Sequence, residues 1–292
     1  MKWIRNNLLT FLMVTGLIVG IVLLVYPSVA NYWNSFHQTQ VLIEYNDVVS
    51  SMSKEDYKKF LDDAKEYNNK LAESGIIWNM SDSELEEYEK KLNINKNGIM
   101  GYISIPKVHI KLPIYHGTSE SVLQVAIGHI EGSSLPVGGK GTHCIVSGHR
   151  GLPSAKLFTD VDKIKEGDTW TMTVLNETIT YECDQIRIVE PEDLSELQIV
   201  EGEDLCTLVT CTPYGVNTHR LLIRGHRVAN ADGTADITAD AIQIEPVYIA
   251  PVLAVPALII LFLILLIASI RARRGGPGEI MKMYLERKGL SK

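Results

Sequence analysis

Three short stretches of the chain gather side chains able to do covalent chemistry near neutral pH. The first, Ser147-Gly148-His149-Arg150-Gly151-Leu152-Pro153, holds a histidine in a turn with glycines on both sides. Imidazole is the side chain suited to proton transfer at that pH, and glycines allow a substrate backbone to come close. The second, Thr207-Leu208-Val209-Thr210-Cys211-Thr212-Pro213, reads as a buried strand that delivers a cysteine to its end. Ends of strands on a rigid scaffold are where reactive groups are commonly displayed. The third, His219-Arg220-Leu221-Leu222-Ile223-Arg224, follows after a loop of eight residues, so a hairpin would set Cys211 beside Arg220. Each residue has an ordinary use: cysteine as a small apolar filler, arginine as an ion-pair partner. Together, thiol, imidazole and guanidinium on neighbouring β-segments suit covalent acyl transfer, with sulfur attack, acid/base catalysis and oxyanion stabilisation. Arg224 shares a strand face with Arg220, and periodicity alone does not separate the two.

The elements that position these groups change period near Asn97-Gly98. Before it, residues 31–92 repeat apolar positions every three or four: Val41, Tyr45 and Val48, then Tyr57, Phe60, Leu61, Ala64, Tyr67 and Leu71. Ser53 followed by Glu55-Asp56 caps one helix, and Ser81 or Ser83 starts another carrying Leu85, Tyr88 and Leu92. Between them the loop of residues 74–81 has an apolar tip, Ile76-Ile77-Trp78. After Asn97-Gly98 the period is two. Met100, Tyr102 and Ser104 alternate with Gly101, Ile103 and Ile105, then come Ile110, Leu112 and Ile114. Further strands fit residues 142–147, 169–175, 178–190, 205–211 and 219–227, punctuated by Gly and Pro. Many short strands predict a β-barrel or sandwich rather than a βαβ fold.

Two uncharged apolar blocks flank this region. Residues 8–26 are just long enough to cross a hydrocarbon core about 30 Å thick, and residues 247–270 are longer. Lys2 and Arg5 precede the first; Arg271, Arg273 and Arg274 follow the second. By the positive-inside rule both ends are cytoplasmic and the part between faces outward. Ser28-Val29-Ala30 has the small residues of a signal-peptidase site, but the apolar core exceeds the usual signal length of about 7–15 residues, which favours an uncleaved anchor. The organisation expected is a cytoplasmic start at 1–7, an anchor at 8–26, an extracellular helical segment at 31–97 and a catalytic β-domain at 98–228. A stalk at 229–246, a transmembrane helix at 247–270 and a basic cytoplasmic tail at 271–292 complete it.

The 292 residues are 46% hydrophobic, enough for a full core, so wholesale disorder is excluded. The net charge is −7; setting aside +2 before the first block and +5 after the second leaves −14 for the outward part. So acidic a domain offers no electrostatic footprint for nucleic acid. Cys144, Cys183, Cys206 and Cys211 form no compact disulfide framework and no CxxC pair, which argues against a thiolate zinc site. Cys144 and Cys206 read as core thiols.

The strings around His149, Cys211 and Arg220, together with Met100-Gly-Tyr-Ile-Ser-Ile-Pro106, Leu112-Pro-Ile-Tyr-His-Gly117, Gly128-His-Ile-Glu-Gly-Ser-Ser-Leu-Pro136 and Ala155-Lys-Leu-Phe158, resemble a sortase of class C, the pilin-polymerising type of Gram-positive bacteria. The resemblance covers the whole β-region and implies a closed, mainly β barrel of the sortase type with an N-terminal helical segment, flanked by two transmembrane helices. It implies that Cys211 attacks the Thr-Gly carbonyl of an LPxTG-like sorting signal on a pilin subunit. His149 would protonate the leaving amine and deprotonate the incoming one, and Arg220 would hold the substrate backbone and the oxyanion. A lysine amine on the next pilin would resolve the thioacyl enzyme, with no cofactor, metal or ATP in the scheme.

His143 matches the family pattern too, and reads as structural support, as do His116, His129, His219 and His226. One departure stands out: class C sortases usually carry an Asp-Pro-aromatic triplet in a lid before the barrel, and no Asp-Pro occurs in this sequence. Trp78 stands where that lid belongs and would fill the cleft through its ring alone, predicting a looser lid; packing on the helices or the barrel side is the other expectation for it. Competing readings are a sortase that attaches proteins to peptidoglycan, a cysteine hydrolase, and a membrane-tethered binding module without catalysis. The specificity loops are expected at 160–166 and 191–204.

Overall fold

The computed structural model describes residues 2–230, 254–267 and 287. The chain divides into two units, residues 30–241 and the remainder. The β-region is a closed eight-stranded barrel, which decides between the two all-β architectures. Its strands are β1 (Ile99–Ile105), β2 (Ile110–His116), β3 (Ile127–His129), β4 (Thr142–Ser147), β5 (Thr169–Val174), β6 (Glu177–Val189), β7 (Asp204–Thr212) and β8 (His219–Val228). They close in the order β1-β2-β3-β4-β7-β8-β6-β5. The alternating residues Ile103, Ile105, Ile114, Val146, Met172, Tyr181, Leu208 and Ile223 turn inward and fill the barrel around the stacked rings of Trp170 and Tyr181. Closure leaves no free edge. Seven strands match the sequence periodicity to within two residues at each end; β3, only three residues long, is too short to show a period.

Three helices precede the barrel: α1 (Lys2–Ser51), α2 (Lys54–Ser74) and α3 (Asp82–Lys90). Ser53 caps α2 by accepting from Asp56 N, and Ser81, not Ser83, caps α3 through a reciprocal capping box with Glu84. Their inner faces bury Tyr45, Leu61, Ala64, Leu71 and Tyr88 against Ile99, Met100, Leu135 and Val174 of the barrel wall. Polar groups fix the register of this seam. Tyr45 donates its hydroxyl to Met100 O at 2.8 Å and accepts from Leu175 N at 2.8 Å. Asn68 exchanges two hydrogen bonds with the Leu135 backbone, at 3.0 and 2.7 Å.

The first apolar block and the expected extracellular helix form one continuous element, α1, with Pro27 inside it. Among the described residues it is the helix long and apolar enough to cross a membrane, over Phe11–Ser51, and Phe11, Leu12, Val19 and Leu23 lie exposed on it. The second expected crossing is not supported among the described residues. Its described part is a helix of 14 residues, α5 (Ala254–Ile267), shorter than a bilayer requires; residues 247–253 and 268–270 lie outside the described residues. Most of the expected stalk, residues 231–246, and the tail apart from Arg287 lie outside them as well.

Candidate active site

The sheet brings the three reactive stretches to one rim of the barrel. β7 and β8 pair antiparallel with Cys211 directly opposite Arg220, as the hairpin argument requires. β4 runs parallel to β7, with Ser147 opposite Val209. Beyond that pair, Gly148 N donates to Val209 O at 3.1 Å and Thr210 Oγ1 donates to Gly148 O at 2.8 Å, so β4 delivers His149 to the same rim as Cys211. The backbone of His149 is held from the other side, its carbonyl accepting from Phe158 N at 3.1 Å. Position 148 has to be glycine: a Cβ there would come within 2.7 Å of the Phe158 ring and 2.9 Å of Ile127.

The rim groups are accessible and lightly held. Cys211 is a free thiol, half-buried, while the other three cysteines are free and buried. His149 keeps 28% of its side chain exposed, and its Nε2 lies 3.6 Å from Glu120 Oε2. Glu120 opens the short helix α4 (Glu120–Leu123), and its carboxylate is held below the usual range, first by the Gln124 amide and then by His149. Sequence reasoning missed Glu120, because its place beside His149 depends on β3 lying between β2 and β4. Arg220 donates from Nη1 to its own neighbours' carbonyls, His219 O at 3.1 Å and Asn217 O at 3.3 Å, and meets no carboxylate among the described residues. Arg224 is different. It makes a two-pronged contact with Asp184, Nε to Oδ1 at 3.1 Å and Nη2 to Oδ2 at 2.9 Å, so its guanidinium is already committed. That contact separates the two arginines.

A groove of about 240 Å³ runs along the outer face beside Arg220. Val209, Leu222, Val189, Leu194 and Leu197 give it an apolar floor, and Trp78 forms part of its wall. The loop that carries Trp78 is pinned by Ile77 N donating to Gly132 O at 3.1 Å. Gly132, at φ 78°, admits that approach; a Cβ there would strike Ile77 O at 2.0 Å. Trp78 packs on the outer barrel face against the cluster of Ile145, Leu197, Val209 and Leu222, and from there it lines the groove. Pro191, Asp193 and Leu194 of the expected 191–204 loop also line this groove.

The remaining histidines are saturated or remote. His143 is fully buried between Gln198 O at 2.8 Å from Nδ1 and Thr207 Oγ1 at 2.7 Å from Nε2. Burial pushes it down to about 4, so it is a neutral ring donating to the carbonyl and accepting from the hydroxyl. His129 is likewise pushed down to about 4 by burial, between Tyr88 OH and Ser134 O. His116 bonds two backbone carbonyls, and His219 lies 3.3 Å from Glu190.

A closed β-barrel that presents thiol and guanidinium on paired strands, with an imidazole just past the end of a third, beside an apolar groove has the parts of a cysteine acyltransferase. Comparison with known proteins gives the family. The sortase-domain family model matches residues 103–228, almost the whole barrel. A crystal structure of sortase C1 from Streptococcus agalactiae is 61% identical, with a TM-score of 0.65, and the match covers 66% of this chain and all of that one. Sortase C of Streptococcus pneumoniae is 39% identical at a TM-score of 0.59, over 67% of this chain and all of that one. Sortase D of Bacillus subtilis is 29% identical over 131 residues, 44% of this chain and 63% of the length of that one. The chain belongs to the sortase family, whose members are cysteine transpeptidases, and class C sortases are among its structural neighbours.

Proposed function

We propose that this chain is a membrane-anchored transpeptidase that cleaves an LPxTG-like sorting signal between Thr and Gly and joins the threonine to a lysine amine of another pilin subunit. The observation that carries this reading is the pairing of Cys211 with Arg220 at the open rim that His149 also reaches. In the proposed cycle the Cys211 sulfur attacks the threonine carbonyl and Arg220 stabilises the oxyanion. His149 protonates the leaving glycine amine, leaving a thioester. The lysine amine then attacks it, the C–N bond forms as the C–S bond breaks, and the amine's proton passes to His149. The energy of the cleaved peptide bond is kept in the thioester, so no ATP enters. Pilin polymerisation is favoured over attachment to peptidoglycan by the class C neighbours and by the helical segment over the barrel. We read Trp78 as a lid residue on the donor groove. The anchor is α1, with the barrel outside the cell; the second crossing at 247–270 and a cytoplasmic basic tail are part of the same reading.

Mass spectrometry of the full chain in detergent tests it, with an LPxTG-type peptide and with or without a pilin fragment bearing the acceptor lysine. An adduct on Cys211 that transfers to the lysine is the expected result. Transfer only to a peptidoglycan-type amine or to water removes the pilin assignment and keeps the chemistry. No adduct, with binding unaffected by Cys211→Ala, leaves a binding module.

A further inference from the structure

A transpeptidase has two substrates, and among the described residues two clefts flank the rim of this barrel. The outer groove takes Ser147, Val209 and Arg220. A second cavity, of about 340 Å³, takes the residue after each reactive group: Arg150 after His149, Thr212 after Cys211, Leu221 after Arg220. On β7 and β8 the alternation of side chains along a strand produces this, since neighbours point to opposite faces, and the bend after β4 turns Arg150 to the same cavity. The same line of chemistry is therefore flanked on both sides. Ile164, Ile186 and Ile223 give the second cavity an apolar lining, and Tyr214 and Ile188, 59% and 63% exposed, stand at its rim.

Arg150 is the unusual member of this cavity. Only 9% of its side chain is exposed, its Nη2 pairs with Asp162, and its Cζ lies 5.6 Å from the Tyr214 ring centroid. Its Nε is buried with no hydrogen-bond partner. A buried donor left without an acceptor is costly and rare, and a bound carbonyl oxygen would satisfy it. At the rim between the two clefts, Glu120 and Glu190 stand 71% and 70% exposed beside His149 and His219, which favours the approach of a cationic amine.

We propose that this cavity binds the acceptor polypeptide, taking an apolar side chain next to the attacking lysine while Arg150 Nε donates to a backbone carbonyl of the same segment. The proposal rests on the transpeptidase reading. It places donor and acceptor on opposite faces of the β7–β8 hairpin, so that the lysine amine meets the thioester from the side the donor leaves free. Aminolysis needs no other component: the amine nitrogen forms the new C–N bond, Cys211 sulfur leaves, and the proton goes to His149.

The test uses the full chain in detergent, a fixed LPxTG-type donor, and two acceptors, acetyl-Gly-Lys-Leu-Gly-amide and acetyl-Gly-Lys-Gly-Gly-amide. The leucine peptide is expected to have a KM about ten-fold lower, the usual scale for one apolar side chain in a pocket. Arg150→Lys, which keeps the charge facing Asp162, and Ile188→Ser, at an exposed position, should each shrink that difference to about two-fold. No preference in the parent protein, or a preference that survives both substitutions, overturns the proposal. Absence of any Cys211 adduct in the parent is a different result, since it removes the transpeptidase reading itself and the acceptor site with it.

Discussion

Each reactive type at the rim has a counterpart further back along the same chain stretch, here the inner set: His143 on β4 behind His149 just past its end, Cys206 behind Cys211 on β7, and Arg224 behind Arg220 on β8. The inner set is saturated. His143 has a partner on each ring nitrogen, the Cys206 thiol lies 3.3 Å from Met172 Sδ in the core, and Arg224 grips Asp184 with both prongs. The rim set keeps exposure and spare hydrogen-bonding capacity. Residue type therefore decides nothing here. A buried or half-buried polar group in mid-strand must be satisfied for the fold to be stable, whereas a group at the rim can wait for a substrate.

Exchanging roles between the sets is the sharpest way to break this comparison. Cys211→Ala should lower transpeptidation at least about 10⁴-fold with little change in Tm, since nothing else at the rim can form the thioester. Cys206→Ala should do the reverse, costing about 1–2 kcal/mol of stability from the core cavity while leaving turnover within a few fold. Thermal melting and a donor-peptide assay on both variants separate the outcomes; comparable loss of turnover in the two would end the distinction. Arg220→Lys should cost about 10²-fold in kcat, the scale of one oxyanion donor, because an ammonium cannot reproduce the planar fork. Arg224→Lys should cost about 1 kcal/mol of stability and little turnover.

The inner histidines also set a pH dependence. His143 and His129 lie near 4 in the folded chain, below the ordinary value of 6.5, so as the pH falls the unfolded chain takes up their protons first. Their contribution is complete above pH 6.5 and is lost as the pH drops toward 4, about 3 kcal/mol for each. Denaturant melts at pH 7, 6 and 5 should show this fall. In His143→Gln the slope between pH 6 and 5 should drop by close to one proton; an unchanged slope would place the proton uptake elsewhere.

Much of this was legible in the sequence, for physical reasons that differ by element. β1 and β6 show their period because burial alternates along them, β7 shows instead as an apolar run because both its faces are buried, and the eight residues between Cys211 and Arg220 sufficed to make a hairpin. The choice between Arg220 and Arg224 was not legible. It depends on Asp184, which lies on β6 some 40 positions away and reaches Arg224 only through barrel closure. β3 was hidden because three residues are too few to show a period, Glu120 because it reaches His149 only through the strand order, and the joining of the anchor to the helical segment because the apolar run ends at Tyr26 while α1 continues through Pro27.

Trp78 gives a smaller effect of opposite sign. Its ring walls the groove beside Arg220, but its loop is held to the barrel by a backbone hydrogen bond from Ile77 to Gly132. Trp78→Ala should raise the alkylation rate of Cys211 by about five-fold, the change expected from the loss of about 1 kcal/mol of closing contact. Gly132→Ala, which forces the loop off the barrel, should do the same without touching the ring. Unchanged reactivity in both would remove the lid role.

The smallest effect expected comes from Glu120, which no sequence pattern marks. Glu120 Oε2 lies 3.6 Å from His149 Nε2, but the carboxylate is 71% exposed, so solvent and salt weaken the pairing. Its use would come when His149 holds a proton between the two half-reactions, where the carboxylate both orients the ring and lies beside the positive charge. Glu120→Gln keeps the shape and the contact with Gln124 while removing the charge. It should lower kcat/KM about three-fold at low salt, and the gap between variant and parent should close as the salt concentration approaches 1 M, where screening leaves the parent little advantage. The inner pair of Arg224 and Asp184, about three-quarters buried, should by contrast keep its effect on stability over the same salt range. A Glu120 effect that persists undiminished at 1 M would mean that the carboxylate acts by holding the ring in place, and its charge would then have no part in the step.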